Sequence, residues 1–133
     1  MHVNSLLPLL AAIGLLLAML YRSMGTGRPL RYGWLFPALL SALFLAWSIA
    51  TIIIEGPFGF WANHTSNLWG NQVWFDLLLA IGIAWYFIVP EAKLLGMRVA
   101  LWLPLILCTG SIGFLAMLAR LMYLRGSRST SSV

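Results

Sequence analysis

Four long apolar runs, separated by short polar segments, account for most of the chain: residues 6–21, 34–54, 73–89 and 99–124. Each is too long and too uniformly apolar for the buried face of a soluble helix. As a helix the second run is about 31 Å long, which matches a bilayer hydrocarbon core of about 30 Å. Helices satisfy their own backbone polar groups in lipid, so the pattern predicts transmembrane helices. Pro8 falls in the first turn of the first helix, where proline is tolerated. Pro90 is expected to end the third helix, and Pro104 to kink the fourth. The expected fold is all-α: a polytopic, antiparallel four-transmembrane-helix bundle formed by residues 1–125 as one domain. The polar stretch 126–133 is expected to be a disordered tail.

The connections are residues 22–33, 55–72 and 91–98. The middle one mixes Phe58, Phe60, Trp61 and Trp69 with turn formers. Aromatic residues of this kind sit at headgroup level, so this segment is expected to lie along the interface. The first run has no Lys or Arg ahead of it and is followed by Tyr21-Arg22 rather than a small-residue cleavage site, so it is read as a retained helix.

Composition agrees: 62% of residues are hydrophobic and 8% charged, against about 25% charged in soluble domains. The net charge of +5 belongs to residues flanking the apolar runs, where they meet headgroups and set topology. No nucleic-acid partner is expected. In an alternating four-span chain, Arg22, Arg28, Arg31, Lys93 and Arg98 share one side, and Arg120, Arg125 and Arg128 the other. The early helices dominate orientation, so both termini are expected outside the cytoplasm of a cell membrane, a bacterial inner membrane. Glu91, Lys93 and Arg98 read as interfacial anchors. Lone Cys108 reads as a small buried thiol within a span.

Candidate chemistry centres on Asp76, about one turn inside the third run. A carboxylate there is costly and needs a partner or a wet cavity. Asp76, Ala80 and Ala84 recur every fourth residue and form one stripe; Thr109, Gly113, Ala116 and Arg120 form another on the fourth helix. Small residues at such spacing permit close helix approach. Packed antiparallel, the stripes bring Arg120 level with Asp76, and an Asp76–Arg120 ion pair is the expected structural role. A second small-residue seam, Gly14 and Ala18, lies on the first helix. The other reading of Asp76 is functional. Glu55 ends the second helix on the same side and His64 lies in the aromatic connection. With Asp76 they would make an acid/base set, the imidazole titrating near neutrality. Each also has a plain reading, a solvated helix-end acid for Glu55 and a surface residue for His64. Asn63-His64-Thr65 fits the N-glycosylation pattern.

Several classes are excluded. The single lysine, Lys93, lies outside the runs, so no retinal Schiff base can form within a span. Neither His2 nor His64 lies inside a span to hold haem, and no Walker, Rossmann or HExxH pattern occurs. No cofactor and no metal site are expected.

Phe75-Asp76-Leu77, Leu95-Gly96-Met97, Leu103-Pro104-Leu105 and Gly110-Ser111-Ile112-Gly113 carry a resemblance over residues 71–125. This part of the chain resembles a widespread group of small membrane proteins. That group includes bacterial domains and the plant ABA-deficient-like family implicated in neoxanthin formation. Two positions depart from its pattern: Ser111 stands where the family has proline, and Asn71-Gln72 where it has a histidine. The resemblance implies the fold and singles out Asp76 rather than implying a reaction.

The expected function is that of a non-catalytic accessory or scaffold protein, or a lipid- or pigment-binding subunit. Its expected partners are membrane lipids, a larger membrane complex or a homo-oligomer. The alternative is a small membrane enzyme or carrier for an apolar isoprenoid- or carotenoid-like molecule, with Asp76 as its acid/base group.

Overall fold

The computed structural model describes residues 3–24 and 32–130. Among them lie six helices: α1 (Val3–Met24), α2 (Leu35–Glu55), α3 (Gly59–Thr65), α4 (Leu68–Leu94), α5 (Val99–Thr109) and α6 (Ser111–Thr130). Three are long and apolar enough to cross a membrane, over Leu6–Met24, Leu35–Glu55 and Leu68–Leu94. The chain is therefore an all-helical membrane protein. Arg28 and Arg31, expected to anchor the first connection, and positions 131–133 of the tail lie outside the described residues.

α1 belongs to one compact unit and α2 to α6 form a second. α1 begins at Val3, earlier than expected, so Pro8 lies in its second turn, inside the helix rather than in the first turn. Near its end Ser23 Oγ donates back to the Met19 carbonyl.

In the second unit, Pro37 lies in the first turn of α2. The helix stops at Gly56, whose φ of 84° is a left-handed value that glycine tolerates. The aromatic connection is not a plain loop, because Gly59–Thr65 winds into α3. Asn67 then caps α4, its side chain accepting from the Gly70 N–H at 2.8 Å, which satisfies one of the free donors of a helix start. That cap starts α4 several residues earlier than the expected 73–89. The helix also passes through Pro90 to Leu94. Pro90 therefore does not terminate it, the exposed ring being accommodated within the last two turns.

The fourth predicted helix is two helices. α5 ends at Thr109, and Gly110, at φ 58°, reverses the chain into α6. Pro104 lies within α5 and is not the break. The reversal follows from two contacts. Arg125 on α6 pairs with Glu91 on α4, and an Arg128 guanidinium N–H donates to the Leu94 carbonyl at 3.0 Å. A continuous helix from Val99 would carry position 125 roughly 40 Å away at about 1.5 Å per residue. Instead α5 and α6 fold as a hairpin, and α6 runs in the same direction as α4. The hairpin is closed by local bonds. The Gly110 N–H donates to the Ile106 carbonyl at 2.7 Å and the Phe114 N–H to the Gly110 carbonyl at 3.2 Å. Thr109 Oγ1 donates to the Leu105 carbonyl at 2.6 Å and accepts from the Gly113 N–H at 3.0 Å.

α2 packs antiparallel to α6. Trp34 stacks edge-on against Tyr123 near one end, and buried Ser41 donates to the Ile112 carbonyl at 2.9 Å nearer the hairpin tip. The buried cluster is small: Ile88 and Ala92 from α4, Ile106 from α5, and Met117 and Leu121 from α6. Most of α2 and α4 faces outward, with Ile54 81% and Phe87 73% exposed. Apolar surface of that extent is costly in water and is matched by lipid tails.

α6 continues to Thr130, so the stretch expected to be disordered is helical through the described residues. The bond from Arg128 to Leu94 and that from Ser127 Oγ to the Tyr123 carbonyl tie it down. The Glu91–Arg125 pair is 39% and 48% exposed at its side chains, so solvent screens it. A double-mutant cycle on Glu91→Gln and Arg125→Gln is expected to give a coupling of about 0.2–1 kcal/mol. A coupling several times larger would show a desolvated pair.

Candidate functional site

Polar groups collect at two opposite ends of the second unit. At the α3 end, the Glu55 carboxylate lies beside Gly59, where α3 begins. His64 on α3 is half-buried, and its Nδ1 lies 2.6 Å from the Phe60 carbonyl oxygen. Because that oxygen can only accept, Nδ1 is the donor of this bond. The imidazole packs against Trp74 at 5.5 Å between ring centres, and Phe60 lies on the same indole at 6.1 Å.

Asp76 is exposed on α4. Trp74 faces α3, and Asp76, two residues later, is about 200° further round a helix of 3.6 residues per turn. The carboxylate therefore points away from His64. Among the described residues no three of His, Cys, Asp and Glu come close enough to share a metal ion. Glu55, His64 and Asp76 thus lie toward the same end, with Asp76 on the face of α4 turned away from α3.

The expected Asp76–Arg120 ion pair is not formed; the ion pair among the described residues is Glu91–Arg125. Asp76 precedes Glu91 by about 22 Å along α4, whereas Arg120 precedes Arg125 by only about 8 Å along the parallel α6. The hairpin at Gly110 is the cause, because it reverses the direction that the antiparallel register required. The small-residue stripes move with it. A Cβ on Gly113 would fall 2.7 Å from Thr109 Oγ1, 3.1 Å from the Leu105 carbonyl oxygen and 3.2 Å from Ile106 Cα. The close approach that Gly113 permits is thus to α5, within the hairpin. Ala116 is half-buried, Ala84 is half-buried and Ala80 is exposed. Cys108, expected to be buried, is exposed on α5 because the short helix presents one side outward.

At the opposite end, Trp34, Ala38, Ala119, Arg120 and Tyr123 line a groove of about 330 Å³ between α2 and α6. Ala38 and Ala119 form a shallow floor, and the Arg120 guanidinium lies 5.7 Å from the centre of the Tyr123 ring. Glu91, Lys93, Arg125 and Arg128 gather at the same end, where α4 stops and α6 leaves the core. Nothing in the spacing of Trp34 and Ala38 relative to Arg120 pointed to this groove, because it exists only once α6 turns back along α2. Ser41 was equally hidden; a lone serine in an apolar run reads as ordinary packing.

No family model, no curated protein and no solved structure matches the chain.

Proposed function

We propose that this chain is a non-catalytic membrane subunit, an accessory or scaffold whose apolar faces hold lipid or pigment or meet other membrane proteins. The carrying observation is the separation of the acid/base candidates: Asp76 turns away from His64, and Glu55 lies beside the start of α3. A catalytic trio would need these groups within hydrogen-bond reach of one bound molecule. What the chain offers instead is apolar surface on α2 and α4, broken only at the two polar ends.

The proposed topology has three spans and one hairpin. α5 is about 16 Å long, roughly half the depth of a hydrocarbon core, so α5–α6 enters and leaves the membrane at the same face. Irregular backbone at such depth requires local satisfaction, which the bonds around Thr109 and Gly110 supply. The N-terminus then lies outside, as the early charge bias indicates, and the C-terminus lies in the cytoplasm.

A second reading rests on one observation. Asp76 is a carboxyl group on a spanning helix with no ion-pair partner among the described residues, as a proton-transferring group on an isoprenoid-like substrate would be. One purification separates the two. Gentle solubilisation followed by identification of co-eluting proteins and extracted lipids or pigments is expected to return a stoichiometric partner or a bound apolar molecule. Asp76→Asn should leave that association unchanged. Loss of the bound molecule from a stable Asp76→Asn protein would favour the enzymatic reading instead.

A further inference from the structure

We propose that the groove between α2 and α6 is a binding site for one anionic phospholipid. Its phosphate would meet Arg120 beside the paired Trp34 and Tyr123 rings, and its acyl chain would run over Ala38 and Ala119. The proposal rests on the membrane reading above and adds a ligand to it.

The argument begins with charge. The chain has three carboxylate side chains against eight Lys and Arg. Glu91 is taken by Arg125, while Glu55 and Asp76 lie toward the opposite end of the unit. No carboxylate side chain is therefore left for Arg120, whose ring contact with Tyr123 is an attraction but not a neutralisation. A guanidinium on a helix flank within a membrane needs a counter-anion or water, and the phosphate layer is the densest source of anions at that depth. A planar guanidinium also matches phosphate oxygens in a bidentate fashion.

Shape and lining agree with this ligand. Tryptophan and tyrosine are the residues that settle at the headgroup boundary, each with an apolar body and a polar donor, indole N–H or phenol O–H. Ala38 and Ala119 are small, so the floor of the groove is apolar and low enough for a lipid chain to lie against the helices. Lys93, Arg125 and Arg128 stand at the same end but do not line the groove, and Arg125 is paired with Glu91, so the preference for an anionic over a zwitterionic headgroup falls to Arg120. Basic clefts between membrane helices on the cytoplasmic side hold anionic headgroups by this combination.

The test uses the full-length protein in a neutral detergent. It is titrated separately with dioleoylphosphatidylglycerol, dioleoylphosphatidylcholine and inorganic phosphate, and bound species are counted by native mass spectrometry. The expected result is one retained phosphatidylglycerol, bound about fivefold more tightly than phosphatidylcholine, the contribution of one basic side chain near a lipid surface. Arg120→Gln should abolish that preference, whereas Lys93→Gln, at the same end but outside the groove, should keep it. Ala38→Leu fills the floor and should lose the lipid with Arg120 intact, which keeps the proposal testable if Arg120→Gln does not fold. Equal binding of the two lipids overturns the proposal. So does equal loss in Arg120→Gln and Lys93→Gln, which indicates a diffuse field, or displacement of the lipid by millimolar phosphate, which indicates a free-anion site. Alkaline carbonate extraction of the same membranes reads integration separately, so a failed lipid preference is not confused with a failed membrane reading.

Discussion

Gly113→Leu is expected to lower the thermal midpoint of the purified protein sharply and to broaden its unfolding. The position has no room for a side chain: even a Cβ would press on Thr109 Oγ1, the Leu105 carbonyl and Ile106 Cα. Two of those three atoms are backbone and cannot rotate away, so relief requires α6 to move off α5. That movement breaks the bond from Gly113 N–H to Thr109 Oγ1 and pulls Ile112 away from Ser41, loosening α2 as well. Overpacking alone typically costs about 1–3 kcal/mol, and the two lost bonds add about 0.5–1.5 kcal/mol each. Gly82→Leu is the control, because a Cβ there meets nothing within 4 Å. It keeps the same gain in helix propensity and added apolar surface. Similar midpoints for the two variants would mean that α5 and α6 do not close against each other.

How far these features could be read in advance depends on how local their causes are. α2 spans Leu35–Glu55, within a residue of the expected 34–54 at each end. A long uniform run with a glycine immediately after it carries both its length and its stop signal in the chain itself. α4 is longer than its apolar run because its start depends on the Asn67 cap, which lies in a polar stretch, and because Pro90 sits close enough to the end for the helix to continue through it. The largest departure, the reversal at Gly110, has no signature in hydrophobic periodicity. Residues 99–124 are apolar on both sides of it, and Pro104 is the more conspicuous residue. A glycine in an apolar helix is ordinary; its left-handed φ is visible only in the structure.

The candidate site turns on the same reversal. The stripes through Asp76 and Arg120 lie opposite each other only if the fourth helix is straight, and the spacing within each stripe carries no information about direction. One signal did exist. Arg120, Arg125 and Arg128 opposed the charge bias of an alternating four-span chain, and a helix pair that enters and returns removes the conflict. Charge, unlike periodicity, reports on which side a segment ends.

That same reasoning sets the clearest test of topology. In a Cys108→Ser background, Ser129→Cys is expected to resist an impermeant thiol reagent in intact cells and to react fully once the membrane is opened. Gly27→Cys should behave the same way, and Asn4→Cys should react in intact cells. The physical basis is the pairing of Arg125 with Glu91 and of Arg128 with the Leu94 carbonyl, which holds the end of α6 beside the end of α4. Lys93 lies in the last turn of α4, so Lys93, Arg98, Arg125 and Arg128 belong to one face. Arg22, Arg28 and Arg31, which stand between the first two spans in the sequence, are expected on that same side under the proposed topology. That is the side on which Lys and Arg are retained during insertion. Had α5 and α6 formed one continuous span, Ser129 would lie outside with three arginines carried across the bilayer, and it would label in intact cells. Labelling of Ser129→Cys before permeabilisation, with Gly27→Cys still protected, is the outcome that would refute the hairpin and restore four crossings.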